Sequence, residues 1–229
     1  MQFQEGMYQN FPIYNLIADR PSLGSEKKNW VILGAHYDTR FVADEDSDPT
    51  MREQPMIGAN DGGSGVAVLL ELARVLPQFE NVKVSLVFFD AEDNGNLPGW
   101  DWIIGSRLFV DQLDARPDAV VIVDMIGDAD QNLYREKNSD PVLVGEIWET
   151  ASDLGISTFI QEDKYSMLDD HTPFLNAGIS AVDIIDFTYP YWHTTEDSLD
   201  KVSSKSLENV GQVLMEWLVR KDAALALGK

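Results

Sequence analysis

Short apolar runs recur along this chain, and four of them end at or run directly into a histidine or a carboxylate. His36 follows WVILGA, Asp90 to Asp93 close VSLVFF, Asp124 closes AVVIV, and His193 follows a segment ending TYPYW. Runs of this length, rich in Val and Ile and alternating with amphipathic stretches, are the pattern of a largely parallel sheet covered by helices on both faces. They predict strands at Tyr14–Ala18, Trp30–Ala35, Val82–Phe89, Ala119–Asp124, Gly155–Ile160 and Ser180–Ile185. Helices are expected over Gly63–Leu76, Gly105–Gln112, Val142–Leu154, Thr172–Ala177 and Ser206–Lys221, the last with Ser206 as its capping signal. The expected fold is α/β, a three-layer αβα sandwich with a mixed, mostly parallel central sheet. With 229 residues, 44% of them hydrophobic, the chain suffices for one buried core, so a single domain over 1–229 is expected.

In open α/β sheets the carboxyl ends of the strands form the ligand crevice, and that is where these polar residues fall. Asp61 sits in GANDGGSG, whose glycines permit a tight turn and close backbone approach ahead of a helix. Asp169, Asp170 and His171 open another predicted helix, so all three histidines of the chain lie at such junctions. Taken singly, Asp38, Asp61 and Asp170 also fit as turn or cap residues, and His36 or His193 as structural groups. The joint placement is what points to chemistry. Zinc matches the set, because catalytic zinc is held by three His, Asp or Glu ligands with one position left open.

Charge and composition narrow the classes further. The 39 acidic residues outnumber 17 basic ones, a net charge of -22, which removes the cationic footprint that nucleic acid requires. There is no cysteine, so no disulfide framework and no thiolate metal site can form. The first residues lack the basic stretch and apolar core of a signal peptide, and no apolar run is long enough to span a bilayer, so the chain reads as soluble with no membrane partner. Two stretches read as long loops, Arg40–Ile57 and Asp93–Ile104. The first carries ADEDSD, read as a solvated acidic loop, since the glycine and terminal glutamate of a calcium loop are missing.

The blocks AHYDTR, GANDGGSGVAVLLELARVL, FFDAEDNG, IIGSRLF, VDMIGD, DDHTPFLNAGI and YWHTTEDSLDKV resemble, in that order, those of the M28-type zinc aminopeptidases and the related glutaminyl cyclases. The resemblance runs from about Asn15 to the carboxyl terminus. It implies an extracytoplasmic setting, peptide or protein amino termini as substrates, and a helical segment ahead of the NLIA strand that this chain is expected to lack. On the aminopeptidase pattern, two zincs fall to His36 with Asp124 and to Asp93 with His193, Asp61 lying between them and Glu92 acting as base. On the cyclase pattern, one zinc falls to Asp61, Asp93 and His193. Asp93 departs from the common Glu-Glu pair by one methylene.

The insertion carrying Trp100 and Trp102, the doubled acid of DDHTPFL, and Trp192 directly before His193 resemble the cyclase branch more closely. That branch implies conversion of an amino-terminal glutamine to pyroglutamate with loss of ammonia. Glu92 is then the proton carrier, Asp124 and Asp170 a supporting pair, and Trp192, Trp100 and Trp102 the substrate wall. The two-zinc aminopeptidase is the alternative, and a non-catalytic peptide-binding domain a third reading.

Overall fold

The computed structural model describes residues 2–24 and 29–228. In chain order its elements are β1 (Gln2–Tyr8), β2 (Phe11–Arg20), β3 (Asn29–His36), α1 (Gly63–Val75), β4 (Val82–Phe89), α2 (Ile104–Asp111), β5 (Ala119–Asp124), β6 (Leu133–Arg135), α3 (Pro141–Asp153), β7 (Phe159–Asp163), α4 (Thr172–Asn176), β8 (Ala181–Ile185) and α5 (Ser204–Ala226). Six strands form the main sheet in the order β1-β2-β4-β3-β5-β8. β4, β3, β5 and β8 are parallel, while β2 runs antiparallel to β4 and β1 antiparallel to β2.

Alternation along the strands sorts the core into two layers, as the two-residue period of a strand requires. Val31, Leu33, Ala35, Val84, Leu86 and Phe88 face α1, α3 and α5. Ile32, Val87, Phe89, Val120 and Ile122 face Phe109 of α2 and Phe174 of α4. Helix α1 sits close to the sheet because Gly65 has no side chain there: a Cβ would stand 2.5 Å from the Val123 carbonyl oxygen and 2.8 Å from the Ala35 Cβ.

Register then decides what shares an edge. β3 and β4 pair from Asn29↔Val82 to His36↔Phe89, and Asp124 of β5 pairs with Ile185 of β8. His36, the Asp90–Asp93 segment and Asp124 therefore leave the sheet along one rim.

Three expectations are corrected. Strand β1 was not foreseen, because its alternating residues are mostly exposed at the sheet edge and no apolar run marks it. The strand expected at Gly155–Ile160 is β7, displaced to Phe159–Asp163, and it pairs with β6 outside the main sheet. Gly155, at φ 72°, lies in the turn that ends α3. Helix α5 starts two residues early, capped by Ser203, whose side chain accepts from the Lys205 amide. Ser206 instead donates its hydroxyl to the Asp128 carbonyl at 2.6 Å.

The segment from Arg40 to Ile57 forms no helix or strand and is exposed over most of its length, but it is anchored to the molecule by Arg40, Ala43 and Asp46, which are buried. Among the described residues, no helix is long and apolar enough to cross a membrane.

Candidate active site

Asp61 stands at the centre of the rim. It follows Gly58 and precedes Gly62, both at positive φ, in a turn whose Asn60 and Asp61 amides donate to the Asp197 carboxylate at 2.9 and 3.1 Å. Its two oxygens face different histidines: Oδ1 lies 3.2 Å from His36 Nε2, and Oδ2 lies 3.5 Å from His193 Nε2. His36 Nε2 is also 3.1 Å from Asp124 Oδ1, and His193 Nε2 is 2.7 Å from Asp93 Oδ1. Two buried donor sets result, His36–Asp61–Asp124 and Asp61–Asp93–His193, with Asp61 common to both.

These sets fit a divalent cation. Ligand bonds of about 2.0–2.1 Å in a tetrahedron place neighbouring donors roughly 3.3 Å apart, close to the separations seen here. Asp61 Oδ2 and Asp93 Oδ2 are buried with no hydrogen-bond partner, which is costly unless something else satisfies them. Burial, followed by the charge of Asp93, pushes the Asp61 carboxyl up to about 6. Asp93 is likewise driven well up by burial, and the neighbouring carboxylates add to it. Burial lowers His193 to about 4 and so keeps it neutral, the form in which imidazole coordinates. Burial opposes protonation of His36 too, but hydrogen bonding to Asp124 and the Asp124 charge outweigh it and raise His36.

Backbone strain gathers at the same place. Ala91 precedes Glu92 at φ 52°, Met125 follows Asp124 at φ 47°, and His193 itself has φ 55°. Non-glycine residues in this region persist where the surroundings over-determine them, commonly at functional sites. Asp38 supplies one constraint: its oxygens accept from the Glu92 and Asp93 amides at 3.0 and 3.2 Å, and it lies 3.5 Å from His36 Nδ1. Read in the sequence as a turn residue, Asp38 in fact orients three groups. Asp197, not singled out there at all, holds the Asp61 turn and also accepts the Tyr189 hydroxyl at 2.7 Å. Its only sequence signal is its place four residues after His193 in HTTED.

Beside the second donor set opens a cavity of about 200 Å³ whose wall includes Glu92, Asp124, Asp169, Trp102 and Trp192. Burial drives Glu92 well above the usual carboxylate range, and the charge of Asp169 adds to this. Asp169 is pushed up to about 7, by burial first and by Asp124 second. The Trp192 ring lies 3.8 Å from the His193 ring, and Trp102 stacks near-parallel to His193 at 6.0 Å.

Two predicted residues are not in this wall. Asp170 is fully buried behind it, and the doubled acid presents Asp169 to the cavity instead. Trp100 packs among Tyr8, Phe11 and Phe41, with ring centroids 6.0, 5.1 and 5.2 Å away, and so anchors the rim outside the cavity. A larger cleft of about 400 Å³ between α1 and α5 holds no histidine, and its acidic residues Glu71 and Glu208 pair with Arg74 and Lys205.

An αβα sandwich that gathers buried His and Asp donors and one glutamate at its strand ends defines the class of metal-dependent α/β enzymes. The chain belongs to peptidase family M28, whose profile matches residues 15–218. It is similar to the glutaminyl cyclase of Porphyromonas gingivalis, with a TM-score of 0.87 and 31% identity over 96% of this chain and 83% of that one. The aminopeptidase YwaD of Bacillus subtilis is 29% identical over 186 residues, 69% of this chain and 36% of the relative. The glutaminyl-peptide cyclotransferase of Boiga irregularis is 23% identical over 234 residues, 84% of this chain and 62% of the relative. The chain thus spans less than two thirds of the length of these two curated relatives.

Proposed function

We propose that this chain is a zinc-dependent enzyme acting on the amino terminus of peptides, and that it cyclises amino-terminal glutamine to pyroglutamate with release of ammonia. The observation that carries the reading is the small cavity walled by Trp102 and Trp192 beside His193, with Glu92 on its wall. Its size suits one side chain, and aromatic faces hold a small planar amide without needing charge. Similarity to the Porphyromonas gingivalis cyclase supports the same choice.

Asp61, Asp93 and His193 would hold the zinc. Bound there, zinc supplies Lewis-acid polarisation of a carbonyl oxygen. The α-amine of the substrate forms the new C–N bond to its own side-chain amide carbon, and the bond from that carbon to the amide nitrogen breaks. Glu92 takes the proton the amine loses and delivers it to the departing nitrogen, which leaves as ammonia. A carboxylate whose pKa is raised by burial is a stronger base for that proton than a solvated one, and as the protonated acid it can pass the proton on. Asp124 and Asp169 share the cavity wall with Glu92 and would steady the amine; Asp169 replaces Asp170 in this role.

One observation favours a second reading. The His36–Asp61–Asp124 set is complete, and a two-metal centre is what an aminopeptidase needs to generate hydroxide for attack on the first peptide bond. Ammonia release from a glutamine-initiated peptide, set against release of free leucine from a leucine-initiated one, tests the choice. Ammonia alone supports the cyclase, whereas free leucine overturns it in favour of the peptidase.

A further inference from the structure

The segment after His36 reaches both sides of the second donor set. The Arg40 guanidinium is buried, with Nε and Nη2 donating to the two Asp44 oxygens at 2.5 and 2.7 Å. Its remaining nitrogen, Nη1, donates to the Asp93 carbonyl at 2.6 Å and the Gly95 carbonyl at 3.1 Å. The same guanidinium lies 5.0 Å from the Trp102 ring, which in turn stacks on His193. A few residues on, the Glu45 amide donates to the His193 carbonyl at 3.2 Å. Asp46 then accepts from the Thr195 amide at 3.1 Å and the Thr195 hydroxyl at 2.6 Å.

We propose that Arg40 to Asp46 is a positioning clamp that sets Asp93 and His193, 100 residues apart in sequence, at ligand spacing, with Arg40 as its central residue. The inference rests on the reading of Asp61, Asp93 and His193 as a zinc site. Neither held residue is fixed by its own element. Asp93 lies beyond the end of β4, and His193 sits outside helix and strand at a positive φ that a non-glycine residue keeps only where its surroundings impose it. Hydrogen bonds to their carbonyls from one short segment are such an imposition. Arg40 is suited to the centre because a planar fork with five donors can serve a carboxylate and two carbonyls together, which an ammonium cannot.

The test is zinc affinity by chelator competition, with melting temperature measured in the metal-free and zinc-loaded states. The protein variants are Arg40→Ala, Arg40→Lys and Thr195→Val, with the exposed Arg74→Ala as control. Loss of an outer partner of a ligand lowers metal affinity about 10- to 100-fold, so Arg40→Ala is expected to fall in that range and to show a smaller zinc-induced rise in melting temperature. Arg40→Lys recovers only part of the loss, Thr195→Val loses measurably but less than Arg40→Ala, and Arg74→Ala matches the parent. Should Arg40→Ala fail to fold, Thr195→Val carries the test, since it deletes a single hydroxyl contact. Unchanged zinc affinity in a folded Arg40→Ala or Thr195→Val protein overturns the clamp and leaves the zinc reading intact. A parent protein that takes up no zinc overturns both.

Discussion

On the proposed mechanism Glu92 bears the chemistry, and it carries almost none of the fold. It lies on a cavity wall, its amide is held by Asp38, and no described side chain depends on its carboxylate for a hydrogen bond. Glu92→Gln is therefore expected to lower kcat by about 10²–10⁴-fold with a melting temperature within a few degrees of the parent. Equal losses of activity and stability would place Glu92 among structural groups instead. Glu136 is the converse. Burial disfavours its charge, but His171, the Met167, Asn138 and Ser139 amides and the Ser139 hydroxyl together hold it at about 2, below its ordinary 4.5. A carboxyl depressed in the folded state stabilises fully above its unfolded pKa and loses that contribution as pH falls from about 4.5 towards about 2. The contribution is on the order of 2 kcal/mol after solvent screening. Urea unfolding across this range should show Glu136→Gln less stable at pH 7 and without that part of the acid slope; parallel curves for the two proteins would refute the assignment. At this scale the convergence of the candidate donors was legible, because His36, Asp61, Asp93, Asp124 and His193 sit where strands and turns end. It did not distinguish Asp169 from Asp170, since which of two adjacent carboxyls faces a cavity depends on backbone direction, and periodicity carries no such information.

At the scale of elements, helix packing makes its own prediction. Gly65 of α1 lies against β3 and β5, so Gly65→Ala must push α1 off the sheet and is expected to cost about 1–3 kcal/mol. Gly145 of α3 has no neighbour within reach of an added Cβ, so Gly145→Ala should instead gain roughly 0.5–1 kcal/mol from helix propensity. Urea midpoints of the two variants check both signs, and a neutral Gly65→Ala would show that α1 is free to shift. The central strands were legible because burial on both faces leaves continuous apolar runs, and α1 because its apolar residues follow a glycine-rich turn at helical spacing. Edge strand β1 and the β6–β7 pair were not, because half-exposed or short strands leave no such run, and their pairing is set by distant partners. The anchoring of the Arg40–Ile57 segment was not legible for a related reason. Acidic composition signals solvent, whereas Asp46 is buried against Thr195, and nothing local to ADEDSD announces that partner.

Across the whole molecule, a net charge of -22 and a buried knot of carboxylates make the metal-free state self-repelling. Zinc should raise the melting temperature, and more at pH 7.5 than at pH 5, because protons compete for a group such as Asp61, whose carboxyl is pushed up to about 6. A zinc-induced rise that is the same at both values would contradict the ligand assignment. The rim that joins the ends of β3, β4 and β5 is what turns scattered residues into one site, and the placement of His36, Asp90–Asp93 and Asp124 at the ends of apolar runs made that rim readable in the sequence. The most direct test of the central claim is mass spectrometry of a glutamine-initiated peptide incubated with zinc-loaded protein, with Glu92→Gln alongside. Loss of one ammonia from the intact peptide, absent with Glu92→Gln, is the predicted result. An unchanged peptide, a peptide shortened by its first residue, or full conversion by the Glu92→Gln variant would contradict it.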